Sequence, residues 1–222
     1  SPDGDKLLLL QNYQGRTIIV TRSLTDSDAQ PNGIPPVDNQ EFNWVRWASN
    51  DRILAGIRFP HMNSGNMWGT AYGTYETRLV SMNWTGDDPV NPIRVNPNRN
   101  RQSQIQDNVV NILEDDPDHI LVQLDYDEQY EPGVYKVDIT KTRKPRQIVK
   151  GRDYIDFWSS DHNDVVRFGQ GSSDRQGSNN MRLVAYYRFS EDSRWDKLFD
   201  IDMITETIPF EFEGFSKDTK KI

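Results

Sequence analysis

The sequence predicts an all-β protein assembled from consecutive four-stranded antiparallel blades, the architecture of a β-propeller. Three observations lead there. Apolar runs are short, rich in Val, Ile, Leu and Tyr, and bounded by Asp, Pro, Asn and Gly, which is strand and turn chemistry. Turn aspartates Asp5, Asp51, Asp118, Asp164 and Asp218 recur 46, 67, 46 and 54 positions apart, and a period of roughly 40 to 50 with four strands in each matches one propeller blade. Hydrophobic residues are 35% of the chain while aromatics are 11%, a pairing that suits many short strands with polar turns and opposes disorder, which is poor in aromatics. A β-sandwich also shows regular strands, but it has no reason to repeat a four-strand register.

The clearest unit runs from Gln104 to Lys150. Its runs Val109–Leu113, His119–Leu124, Gly133–Ile139 and Arg146–Val149 are separated by Glu114–Asp118, Tyr126–Pro132 and Thr140–Pro145, so it reads as a four-stranded meander. Before it, Lys6–Leu10 and Thr17–Val20 form a hairpin across Asn12–Gly15, and Ser23–Gln40 is a breaker-rich loop. Next come an alternating aromatic strand at Phe42–Trp47, a strand at Arg52–Phe59, an insertion at Pro60–Tyr75, a strand at Thr77–Met82 and a short fourth strand at Ile93–Val95. After the central unit, strands are expected at Tyr154–Trp158, Val165–Phe168, Met181–Tyr187 and Trp195–Phe199, with another unit beginning at Glu211. The phrases Trp47-Ala48-Ser49-Asn50 and Trp158-Ser159-Ser160-Asp161 read as the same point of two blades. The blades therefore divide as 1–40 (partial), 41–103, 104–150, 151–205 and 206–222 (partial): three full blades and parts of two more. Both ends fall inside a blade, which predicts a piece of a longer chain with open strand edges and homo-oligomers formed through them.

Net charge is −8, which opposes nucleic-acid binding and attachment to anionic membranes. The chain has no cysteine, so disulfides, Cys-ligated zinc and a Cys nucleophile are excluded together. No apolar run approaches the roughly 20 residues of a membrane span. The compartment stays open between periplasm and cytoplasm.

Several phrases, in order along the chain, carry a resemblance: Ser1–Gly4, Trp44–Trp47 with Asn50–Leu54, Thr77–Val80, Asp115–Leu121, Gly133–Asp138 and Gly214–Asp218. Together they resemble the N-terminal β-propeller of bacterial serine peptidases of the prolyl oligopeptidase (acylaminoacyl peptidase-like) family. The resemblance implies a propeller that caps an α/β-hydrolase domain and restricts access of peptide substrates to its Ser-Asp-His triad. It also implies two partners, that hydrolase domain and the peptide substrate. No G-x-S-x-G elbow occurs here: Gly214-Phe215-Ser216-Lys217-Asp218 ends in Asp, and Gly171-Ser172-Ser173-Asp174 fails as well. No catalytic residue is carried over, and the chain is expected to be the non-catalytic part of a hydrolase. A stand-alone protein-binding propeller of the TolB type is the alternative, and a metal-dependent propeller enzyme a third.

Among candidate sites, the insertion stands first. Phe59, His61, Met62, Met67, Trp68, Tyr72 and Tyr75 put many apolar groups on a Gly-rich loop, and such a loop ordinarily covers something. It either contacts a hydrolase domain, peptide or second subunit, or packs over its own blade. Ser159, Ser160, Asp161 and His162 are adjacent, whereas a triad converges from different elements; they read as a blade turn. His61, His119 and His162 lack metal-ligand spacing. The acidic runs Asp3–Asp5, Glu114–Asp118 and Asp125–Glu128 do not fit a twelve-residue calcium loop and read as turns bonding their own backbone. No cofactor is expected. Asn83-Trp84-Thr85 is a chance sequon, and Lys141, Arg143, Lys144 and Arg146 are a solvated hairpin tip.

Overall fold

The computed structural model of the chain describes residues 1–62, 73–98, 102–172 and 181–217. Among them all regular structure is β: fourteen strands in four antiparallel sheets of three or four strands, taken in chain order. This is the all-β, blade-type architecture that the strand pattern predicts.

The first sheet holds β1 (Lys6–Tyr13), β2 (Arg16–Ser23) and β3 (Asn32–Ile34), in that order. Its first hairpin turns on Gln14 and Gly15 alone, at φ 51° and 79°. A two-residue turn of this kind needs both central residues left-handed, so both strands run longer than the apolar pattern suggests. β3 lies in a stretch expected to be loop. Its Asn32 pairs with Thr21 and donates from Nδ2 to Thr21 Oγ1 at 3.2 Å. Thr21 is fully buried and also donates to Trp84 O at 2.7 Å, so a polar run is drawn into the ladder by a buried hydroxyl.

The second sheet is β4 (Glu41–Trp47), β5 (Arg52–Met62) and β6 (Gly73–Asn83). Two expectations change here. The insertion does not begin at Pro60, because β5 continues to Met62 and β6 starts at Gly73. Proline is tolerated within β5 because residue 60 turns its backbone away from β6. Thr77 N bonds Gln104 O and Ser81 exchanges bonds with Val90, so the odd residues of β6, and their even partners on β5, point their peptide groups out of this pair. Pro60 thus forfeits no ladder bond. The fourth strand expected at Ile93–Val95 is reduced to single bridges: Val90 pairs with Ser81, and Ile93 with Arg143. Pro89 and Pro92 interrupt the donors on either side.

The third sheet, in order β10-β9-β8-β7, comprises β7 (Val109–Ile112), β8 (His119–Leu124), β9 (Gly133–Asp138) and β10 (Arg146–Val149). The fourth comprises β11 (Phe157–Ser160), β12 (Val166–Ser172), β13 (Arg182–Tyr187) and β14 (Asp196–Asp202), in that order. Residues 203–217 form no strand. That segment packs by its rings instead: Phe212 stacks on Phe168 at 4.0 Å, and Phe210 meets Phe199 edge-on at 5.2 Å.

Three of the five turn aspartates share one backbone role, while Asp218 lies outside the described residues. Asp5 O accepts Leu24 N, Asp51 O accepts Trp84 N and Asp118 O accepts Ile139 N. Each joins the residue before one strand to the residue after the next; that first strand is an inner one for Asp51 (β5) and Asp118 (β8) and the edge strand β1 for Asp5. In the fourth sheet Arg167 O, not Asp164, accepts the equivalent bond from Arg188 N.

A second recurring device is a tryptophan laid over a glycine on the neighbouring strand. Trp44 pairs with Gly56, and Trp158 with Gly169. A Cβ on Gly56 would overlap the Trp44 indole, and one on Gly169 would lie 2.5 Å from Trp158 Cζ3. Glycine is needed at both for close approach, not for its φ. The counterpart of Trp158 is therefore Trp44, which corrects the phrase matching at Trp47. The register shift at Ser159/Ser160 falls between Trp158 and its turn, while Trp44 to Trp47 run in unbroken register, so the two tryptophans stand at different distances from their turns.

The chain forms two compact units. One comprises Ser1–Asp107, Glu114–His119 and Val137–Pro145; the other comprises Asn108–Leu113, Ile120–Lys136 and Arg146–Ile222. The first is centred on Ile19, Phe42, Ile53, Ala55, Ile57 and Met82. The second has one cluster around Leu121, Val134, Ile155 and Trp158, and another around Phe168, Leu183, Ala185 and Phe199.

Candidate functional site

The candidate site is a cleft of about 770 Å³ in the first unit, inside the range of about 300–1,000 Å³ usual for ligand pockets. Four segments build it. The β1–β2 turn supplies Gly15, Arg16 and Thr17; the approach to β4 supplies Pro36, Asp38, Asn39, Gln40 and Glu41; β5 supplies Arg58 and Pro60; and β6 supplies Tyr75. Strand alternation sets the wall. Arg58, Pro60 and Tyr75 share one face of the β5–β6 hairpin, because Pro60 is opposite Tyr75 and Arg58 opposite Thr77.

The lining is polar and its charges are matched. Arg58 donates to Glu41 Oε2 from Nε at 2.9 Å and from Nη2 at 2.8 Å, while its guanidinium lies 5.3 Å from the centroid of the Tyr75 ring. Arg16 donates to Pro36 O at 3.2 Å and sits 3.6 Å from Asp38. These contacts hold the loop before β4 against the β1–β2 hairpin. Asn39, at φ 61°, takes the left-handed conformation that asparagine accepts more readily than most residues. Tyr75 is 56% exposed, its ring open to a ligand, and its carbonyl accepts Gln104 Nε2 at 2.8 Å.

The residues expected to act together in the insertion are divided by the hairpin. Tyr75 reaches the cleft. Phe59 lies on the opposite face, half-buried beneath Arg78 at 5.2 Å, with Arg78 also paired to Glu76 at 2.6 Å. His61 and Met62 belong to β5, so they are strand, not loop. Met67, Trp68 and Tyr72 lie outside the described residues. Arg16, Arg58, Asp38 and Glu41 went unremarked in the sequence, where no signal joins four charges from three segments.

The other candidates resolve into turn architecture. Asp161 accepts Asn163 N and Val165 N, each at 3.0 Å, and pairs at 3.0 Å with Arg167, both side chains being almost fully buried. His162 Nε2 is 2.9 Å from Phe215 O. His119 begins β8 and shares a 2.8 Å hydrogen bond with Asp116. Asp138 accepts from Thr140 N and Oγ1 at 2.9 and 2.7 Å. Burial of that carboxyl works against ionisation, but the Thr140 bonds and the nearby His119 and Arg143 outweigh it and hold its pKa below the ordinary value. Glu128 bonds Lys150, which lowers it, while Glu131, bonded to Glu128 and close to Asp153, is raised. Among the described residues no group of three or more His, Asp or Glu is placed to share a metal ion.

No family model matches the chain, and no curated protein matches it.

Proposed function

We propose that this chain is the non-catalytic propeller part of a serine peptidase of the prolyl oligopeptidase type, where it docks an α/β-hydrolase domain and restricts which peptides reach the catalytic serine. The observation that supports this reading is the repeated blade register. In three successive sheets the carbonyl of an aspartate just before a strand accepts the bond that closes the following hairpin, at Asp5, Asp51 and Asp118, and Asp51 and Asp118 fall within the phrases that carry the family resemblance. The sequence has no G-x-S-x-G elbow, and the one cluster of Ser, Asp and His commits its carboxylate to a turn and to Arg167. The reading assigns the chain a selective, not a bond-breaking, role.

The test is covalent labelling in the source cell. An antibody against this chain recovers the native polypeptide, which is then treated with a fluorophosphonate probe. A labelled polypeptide carrying both this chain and a G-x-S-x-G serine supports the reading. An unlabelled polypeptide whose coding sequence ends at the close of the blades refutes it and favours a protein-binding propeller.

A further inference from the structure

From the cleft beside the β5–β6 hairpin, the geometry points to a binding site for an extended, uncharged peptide segment that adds alongside β5 beyond the start of β4. The edge comes first. β4 begins at Glu41, opposite Arg58, whereas β5 continues to Met62. Among the described residues no strand pairs with that side of residues 59–62. The even residues of β5 turn their peptide groups toward the β4 side, as Arg52 confirms by accepting Ala48 N at 2.9 Å. Beyond Arg58 the outward groups are therefore the carbonyl of Pro60 and both the N–H and carbonyl of Met62. That is an acceptor followed by a donor–acceptor pair, the pattern an antiparallel strand completes.

The cleft lies along this edge, since Glu41, Arg58 and Pro60 all line it. Proline at the centre removes one donor and blunts unlimited strand addition, leaving a short site instead of a long ladder. The lining then selects the ligand. Two guanidiniums face two carboxylates, each pair within 3.6 Å, so neither an anion nor a cation gains a free counter-charge. Asn39 and Gln40 offer neutral donors and acceptors, and the Tyr75 ring offers a surface for an apolar side chain. A peptide main chain meets all of these. The inference stands apart from the peptidase reading: the site can bind peptide whether or not the chain is joined to a hydrolase.

The test uses the unaltered protein and two probes in an amide NMR titration. One is the capped pentapeptide acetyl-Thr-Ala-Thr-Ala-Thr-amide; the other is the same peptide N-methylated at every residue. The first is expected to shift the amides of Met62, Tyr75, Asn39 and Gln40 in a saturable way, and the second to bind at least tenfold more weakly, because it keeps the side chains and loses the donors. No saturable shift at millimolar peptide, shifts confined to other residues, or equal binding by the methylated peptide overturns the proposal. Labelling by fluorophosphonate is read separately, so failure of either proposal is visible without the other.

Discussion

Asp107 carries the polar centre of the first unit, and its removal is the sharpest perturbation the structure offers. It is 7% exposed. One carboxylate oxygen accepts Trp44 Nε1 at 2.9 Å, and the other accepts the Thr77 hydroxyl, which itself accepts Gln106 N at 3.2 Å. The network crosses Gly56, where a side chain would strike both Trp44 and Asp107. Asp107→Ala leaves the buried Thr77 hydroxyl and the partly buried Trp44 indole N–H without this acceptor. Each orphan costs about 1–3 kcal/mol, so the loss is about 2–6 kcal/mol against a total stability of about 5–15 kcal/mol for an ordinary domain. Asp107→Asn keeps one acceptor oxygen and the volume, and is expected to cost about 1–2 kcal/mol. Urea unfolding followed by tryptophan fluorescence measures both. A double-mutant cycle with Trp44→Phe isolates the indole bond: the cost of Asp107→Ala should fall by about 1–2 kcal/mol in that background, since the indole donor is no longer stranded. Equal costs for Ala and Asn, or no coupling to Trp44, would show that volume and not hydrogen bonding sets the stability here.

Three further outcomes are expected. Gly169→Ala pushes a methyl group into the Trp158 ring and should cost about 1–3 kcal/mol with a changed near-ultraviolet dichroism; an unchanged midpoint and spectrum would mean the indole moves freely. Arg167→Met strands the buried Asp161 carboxylate and should cost about 3–5 kcal/mol, while a loss below 1 kcal/mol on unfolding in urea would deny that the pair is desolvated. The Lys197 and Arg182 bonds hold Asp200 below the ordinary aspartate value of 3.8. Because that pKa is lower folded than unfolded, the pairing stabilises the protein above about pH 3.8 and the contribution is lost as pH falls through the folded value. Melting temperatures of the wild type and Asp200→Asn should therefore differ at pH 6 and draw together as the pH falls below 3.8; a constant gap contradicts the linkage.

The features legible from neighbouring residues are local ones. Strand runs with period two and turns made of Asp, Pro, Asn and Gly are decided by neighbours in the chain, so the four strands of the 104–150 unit appear within a residue or so of where the apolar pattern puts them. Asp5, Asp51, Asp118 and Asp164 were visible for the same reason, as each sits in a short polar turn just before a strand. Where pairing partners lie far apart in the chain, the outcome depends on the assembled fold. β3 exists because buried Thr21 needs partners that include Asn32 and Trp84. β5 runs through Pro60 because that residue's peptide faces away from its partner strand, and no local property of Phe59-Pro60-His61 records this. Trp158 answers to Trp44 and not Trp47 because a register shift at Ser159/Ser160 changes its distance from the turn, and such a shift is a property of two strands together. The cleft belongs wholly to this second kind. Its charges come from a hairpin turn, the approach to β4 and the long strand β5, and they match only after the hydrogen-bonded register has set those segments side by side.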